Sequence, residues 1–286
     1  MLDEDGLGVA RFGERECRIK NALPGETVEA RVVTKRMGRL YGVAEAIDEG
    51  STDRASPYCT SFPRCGGCSF QHWDYSEQLR FKHDRLLTAL EEAGVSARAV
   101  LEPVSTGAKA YRRKARLGVR CLESAERVYV GFREAFGSYV ADMNACPALV
   151  DGLSGLIGPL RSLVGALESP RRVPQIELAA GDRQAAIVLR HLEPLTDADH
   201  AVLRSFAARH GVWVYGQSGG YDTVERLYPK GEPDAVLHYR NEEFDLELAF
   251  APTTFIQVNG KTNERLTRDV VAALELVPGE EVLDLF

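Results

Sequence analysis

The chain has 286 residues, 35 Lys plus Arg against 42 Asp plus Glu, and is 44% hydrophobic and 27% charged. Those proportions describe a folded, soluble chain and exclude a disordered, collagen-like or small disulfide-stapled one. A formal net charge of −7 excludes a uniformly basic nucleic-acid coat, though not a local basic patch.

At about 100 to 200 residues per domain, the length suits two or three domains. Residues 8–12, 27–35 and 40–47 read as short strands, with the turn Leu23-Pro24-Gly25-Glu26 between the first two, so residues 1–52 are expected to form a small β-barrel. A turn-rich stretch over 48–57 marks the boundary. Residues 76–93 place Leu79, Leu86, Leu87 and Leu90 on one helical face, and Gly94 sits where a C′ residue belongs. Strands follow at 115–121 and 127–132, then a Gly- and Pro-interrupted helical segment at 148–168 and paired strands at 175–180 and 184–191. Thr196 with Asp199 at N3 starts a helix that ends near Gly211, ahead of a strand at 212–215. Residues 53–243 are therefore expected to be a central α+β domain. Over 244–286 the pattern is strand (244–250), helix (259–276) and apolar strand (281–286), which is how a parallel α/β domain begins.

The N-terminus lacks a basic and apolar leader, and no apolar run reaches the roughly 18 residues of a membrane span. A cytoplasmic chain with reduced thiols and no membrane contact is expected, so the six cysteines are read for metal before disulfides. Cys59, Cys65 and Cys68 fall within ten residues, and the two glycines of Cys65-Gly66-Gly67-Cys68 let the backbone turn tightly enough to aim both sulfurs at one centre. Cys146, followed by Pro147, is the best fourth ligand, whereas Cys17 and Cys121 lie in strand patterns where a buried thiol is ordinary. Four cysteines suit zinc and iron-sulfur alike. A triplet plus one remote residue tilts toward iron-sulfur, because zinc sites usually carry two close pairs. The five-residue first gap counts against radical cleavage of S-adenosylmethionine. Two basic patches, Lys109 to Arg120 with Tyr111 among its cations, and Arg31, Lys35, Arg36 and Arg39, suit phosphate backbones and unstacked bases.

The cysteine spacing, followed by Gln71-His72, Tyr75, Gln78-Leu79 and Lys82, resembles the iron-sulfur-containing RNA uracil-5-methyltransferases. The resemblance extends upstream to Asp5-Gly6-Leu7-Gly8-Val9-Ala10 and Leu23-Pro24-Gly25-Glu26. Downstream it includes Tyr111-Arg112-Arg113-Lys114, Gly131-Phe132-Arg133, Cys146-Pro147, Phe255-Ile256-Gln257-Val258-Asn259 and Val282-Leu283-Asp284-Leu285-Phe286. It implies a multidomain α+β chain: a TRAM (OB-like) RNA-binding barrel, a central domain holding a 4Fe-4S cluster on Cys59, Cys65, Cys68 and Cys146, and the start of a Rossmann-like methyltransferase domain. It further implies S-adenosylmethionine contacts at Gln257 and Phe286, a target-base contact at Phe255, and RNA contacts at Arg112, Arg113, Lys114 and Arg133. The implied activity is formation of 5-methyluridine in ribosomal RNA by a monomer, on a uridine that leaves its stack. In that chemistry a Cys thiolate adds to carbon 6 of uracil and activates carbon 5 toward the sulfonium methyl. The glycine-rich turn, nucleophile and base are expected beyond Phe286, so the chain reads as a fragment unable to methylate. The alternative is a non-catalytic RNA-binding iron-sulfur or zinc protein.

Overall fold

The computed structural model describes residues 1–122, 127–231 and 236–284. Its first unit is a four-stranded sheet of β1 (Gly8–Phe12), β2 (Arg15–Lys20), β3 (Thr27–Arg36) and β4 (Arg39–Glu49) in the order β1-β2-β4-β3, with β2 and β4 parallel. Met37 and Gly38 both take positive φ, which gives the tight β3–β4 turn the twist a hairpin needs. Cys17, Ile19, Ala22, Leu40 and Ala44 form its core. The expected closed barrel is not found among the described residues: β1 and β3 are the two edges and do not pair with each other. The chain's own start lies along β1 instead, through a Leu2–Gly8 bridge and the Val9 N–H donated to the Met1 carbonyl. Strand β2, which the sequence pattern does not announce, has its charges paired within the strand, Arg18 with Glu16, and with its neighbours, Arg18 with Asp3 and Glu16 with Arg39.

Helix α1 (Tyr75–Glu92) is capped by the Asp74 carboxylate, which accepts from the Ser76 N–H, and Gly94 takes the positive φ expected past its end. It buries none of its residues, and Leu86 is 57% exposed.

The central sheet holds six strands: β5 (Lys114–Leu122), β6 (Arg127–Gly131), β7 (Gln175–Ala180), β8 (Ala185–Arg190), β9 (Val212–Gln217) and β10 (Val224–Tyr228), in the order β10-β9-β8-β7-β5-β6. Helices α2 (Asp151–Ser154), α3 (Ile157–Gly165) and α4 (Asp197–His210) share one apolar core with it, in which Leu117, Ile176, Ile187 and Val214 meet Leu153, Ile157, Leu160 and Leu203. Each such fully buried side chain contributes about 1.5 to 3 kcal/mol. Gly155 ends α2 and divides the expected helical segment in two. The crossover β8–α4–β9 makes a parallel pair in this otherwise antiparallel set of described strands, and α4 has both signals read from its sequence, a Thr196/Asp199 capping box and a left-handed Gly211.

A hairpin of β11 (Leu237–Asn241) and β12 (Leu246–Phe250) covers the opposite face, seating Leu237, Phe250 and Ile256 on Ala179, Ala186, Val188 and Tyr215. The strand read at 244–250 is thus β12, antiparallel to β11, and a division after residue 243 runs through the turn of this hairpin. Helix α5 (Gly260–Leu274) follows, with Leu266, Val270, Val271 and Leu274 all at least 40% exposed. The strand expected at 281–286 is not formed over 281–284, where no neighbouring strand among the described residues supplies a ladder; residues 285 and 286 lie outside the described residues. The result is a mixed α/β fold. No helix among the described residues is long and apolar enough to cross a membrane.

Candidate functional site

Residues 50–74 form no helix or strand of the two sheets, so side chains and single bridges must shape them. Arg54 reaches the buried Glu26 carboxylate at 2.5 and 2.6 Å, and backbone bonds from Ala55 to His72 and from Asp74 to Asp53 draw the two ends of the segment together. Within it the Cys59 N–H donates to Gln71 Oε1 at 3.1 Å, the Cys65 N–H to the Ser61 carbonyl, and the Gly66 N–H to the Arg133 carbonyl at 2.8 Å. A Cβ on Gly66 would lie 3.0 Å from that carbonyl oxygen, a tight contact that favours glycine where the loop approaches the chain just past β6. Cys146 arrives from the opposite side, on the loop between β6 and α2, with its N–H on Ser154 Oγ at 3.0 Å.

Cys59, Cys65, Cys68 and Cys146 line one cavity of about 140 Å³, closed by Phe62, Tyr111, Phe132 and Met143. Burial pushes the Cys65 and Cys146 thiols up, and the neighbouring thiols push the same way. Among the described residues no group of three His, Cys, Asp or Glu is placed to hold a single metal ion. A tetrahedral zinc would hold its sulfurs at about 2.3 Å from the metal and hence roughly 3.8 Å from one another. The four cysteines share the lining of one cavity without meeting that spacing around a single ion. Cys17 and Cys121 lie elsewhere, in the core of the first sheet and on β5, and burial raises the Cys121 thiol as well.

The basic segment Arg112-Arg113-Lys114 turns largely inward. The Arg113 N–H donates to the Val258 carbonyl, its guanidinium lies 3.3 Å from Asp182 and over the Tyr239 ring, Lys114 Nζ donates to the Thr254 carbonyl, and Arg112 Nε donates to the Lys114 carbonyl. The segment thereby holds the Phe255–Asn259 motif against the sheet. In that motif Ile256 is buried, Phe255 is 80% exposed, Gln257 is exposed and Asn259 caps α5 by accepting from the Thr262 N–H. Arg133 is exposed and donates to the Ser138 carbonyl. Phe286 lies outside the described residues. In the second patch, Arg31 and Arg39 are paired with Glu45 and Glu16, and Arg36 donates to the Phe136 carbonyl.

Beside the cysteine cavity, sharing Gly67, Cys68, Gln71 and Tyr111 with it, opens a cleft of about 690 Å³. Tyr58, Trp73, Tyr75, Lys82 and Lys109 stand on its walls, and it reaches Asn259. Lys109 lies 4.8 Å from the Tyr58 ring centroid and Lys82 5.6 Å from that of Phe70. Burial and then the thiols push the Tyr58 hydroxyl up to about 12, so it stays a neutral donor, to the Ala108 carbonyl. These aromatics and two lysines are scattered over some fifty residues, and no local signal in the sequence joins them. Lys20, buried under the cysteine loop, gives no sequence signal for the same reason.

No family model matches the chain. It is 42% identical over 288 residues to the "23S rRNA (uracil(1939)-C(5))-methyltransferase RlmD" of Aromatoleum aromaticum, covering 100% of the chain and 66% of that protein. It is 37% identical over 286 residues to the protein of the same name from Hahella chejuensis, covering 100% and 64%. The chain is similar to RNA uracil-C5-methyltransferases along its whole length. It spans slightly under two thirds of these relatives. Among solved structures, Pyrococcus abyssi tRNA (uracil-54, C5)-methyltransferase in complex with S-adenosyl-L-homocysteine shares the fold, with a TM-score of 0.67 at 20% identity over 99% of this chain and 65% of that one.

Proposed function

We propose that this chain carries the RNA-binding and cluster-holding parts, and the first S-adenosylmethionine-domain elements, of an enzyme that forms 5-methyluridine in 23S ribosomal RNA. The observation that carries this is the shared wall between the four-cysteine cavity and an aromatic, lysine-bearing cleft that ends at the Phe255–Asn259 motif. The similarity of the whole of this chain to slightly under two thirds of proteins of that name supports it.

The resemblance divides the chain into residues 1–52 as the TRAM-like unit, 53–243 as the cluster domain and 244–286 as the start of the methyltransferase domain, with the β11–β12 hairpin spanning the last boundary. A single-stranded RNA segment enters the cleft, stacks an unpaired base on its aromatics and sets phosphates near Lys82 and Lys109. Arg112, Arg113, Lys114 and Arg133 are the further cations that the resemblance assigns to RNA, and the first three also hold the Phe255–Asn259 segment, in which Phe255 and Gln257 are exposed. The exposed ring of Phe255 suits the target base, and Gln257 and Phe286 suit S-adenosylmethionine, which when bound supplies the methyl group.

The cysteine cavity fits a 4Fe-4S cluster on Cys59, Cys65, Cys68 and Cys146 better than one zinc ion. All four cysteines line one cavity while no three of them are placed on a single ion, and because burial raises the proton affinity of Cys65 and Cys146 a bound metal must displace their protons. When bound, such a cluster cross-links three stretches of loop. None of the six cysteines is placed to attack uracil: four face the cavity and two are held in strands.

Disrupting the gene in the organism that encodes it should remove one 5-methyluridine from its 23S rRNA, read by mass spectrometry of nuclease fragments, and restoring the gene should return it. A 23S rRNA that keeps every 5-methyluridine overturns the assignment. Iron and acid-labile sulfide in anaerobically purified protein test the cluster separately.

A further inference from the structure

Lys20, the last residue of β2, is 4% exposed. Its ammonium donates to the Cys65 carbonyl at 2.5 Å and sits 5.5 Å from the Phe62 ring centroid. No carboxylate among the described residues forms an ion pair with it, although Asp5 and Glu134 share a cavity wall with it, and Glu134 pairs with Arg64. The loop whose carbonyl it holds carries Cys65 itself and, three residues on, Cys68. A buried cation without an anion is costly, and folded proteins rarely keep one unless a counter-charge arrives from outside the chain.

We infer that Lys20 is the counter-charge of the cluster, supplied by the N-terminal sheet to a site otherwise built by the central region. The inference rests on the cluster reading above. An iron-sulfur centre held by four thiolates is a net anion whose properties depend on nearby charge and hydrogen bonding. One buried ammonium against the Cys65 loop offsets part of that charge across the seam between the two sheets. Lys20 is thus a positioning residue with two effects. It favours the loaded, anionic site over the stripped one, and it makes docking of the N-terminal sheet depend on whether the cluster is present. His72, a buried base on the same loop, stacks on Phe62 and does not take this part.

Three substitutions separate charge from shape and from hydrogen bonding. K20M keeps the stem alone, K20Q keeps a donor for the Cys65 carbonyl without charge, and K20R keeps both donor and charge. In full-length protein purified without oxygen, the bleaching rate of the cluster under an iron chelator should rise several-fold in K20M and K20Q, and K20R should stay near the original. A K20Q protein that keeps the original lifetime, at full iron and sulfide content, overturns the inference.

A second measurement holds if the variants fail to fold. On stripping iron from the unaltered protein, amide hydrogen exchange should accelerate over β2 and at Ala22 and Leu23, while α4 keeps its protection. Unchanged exchange over β2 overturns the coupling. Protein that never contains iron or sulfide removes the cluster reading itself, and this inference with it, an outcome distinct from a cluster present but indifferent to Lys20.

Discussion

His72 is fully buried and stacks on Phe62, and neither ring nitrogen has a hydrogen-bond partner among the described residues. Burial first, and the Arg54 charge second, hold its affinity for protons down at about 4, against 6.5 for a free imidazole; the Ala22 backbone offsets part of this without reaching bonding geometry. The unfolded chain therefore takes up a proton before the folded one does. The stabilisation is complete above pH 6.5 and is lost as the pH falls toward 4, a span worth about 3 kcal/mol. His72→Phe should keep the stacking and flatten the stability curve between those pH values, measured by urea unfolding of both proteins across the range. Parallel curves would show that His72 does not titrate on unfolding.

Between elements, Glu26 does what no single strand or helix does. Its side chain, with no exposed surface, accepts the Leu23 N–H that closes the Leu23–Glu26 turn, the Ser51 N–H at the end of β4, and two bonds from Arg54. Burial alone would raise its carboxyl, but Arg54 and the two backbone donors outweigh it and hold the group below the usual carboxylate range. The turn motif is thus the anchor of the cysteine loop on the first sheet. Glu26→Gln leaves Arg54 without its counter-charge and is expected to cost about 3 kcal/mol, the loss typical of breaking a buried pair. The urea midpoint measures it, and a loss under half that size would place the anchor elsewhere. Helix α5 presents the opposite case: its cap is complete, yet its apolar residues stay exposed, so capping rather than packing sets where this helix begins.

At the scale of the molecule, the two sheets and the loop between them bring to the cleft a small number of cations without carboxylate partners. Lys82 and Lys109 lie over aromatic rings and make no ion pair among the described residues, whereas Arg113 and Arg116 are ion-paired to Asp182 and Glu177. Replacing both lysines by Ala should weaken binding of single-stranded RNA and lower the slope of log affinity against log salt by about 0.7 for each phosphate no longer neutralised. Filter binding at several salt concentrations tests this. An unchanged slope would take the RNA off this cleft.

What the sequence determined by itself lies within reach of a turn or two of chain. The Thr196 and Asp199 box with Gly211, the strands read at 175–180 and 184–191, and the triplet of Cys59, Cys65 and Cys68 are local patterns, because capping, alternation and tight glycine turns depend on neighbours a few residues away. Tertiary structure decided the rest. It brought Cys146 to one cavity with the other three cysteines, set Met1 and Leu2 along β1, and made Arg113 and Lys114 ties on the Phe255–Asn259 segment. It also buried Lys20 against Cys65, 45 positions away. A charge or thiol takes its role from the groups it meets in the folded chain, and Asp182, Val258 and Cys146 lie too far along the sequence from their partners for any local rule to pair them.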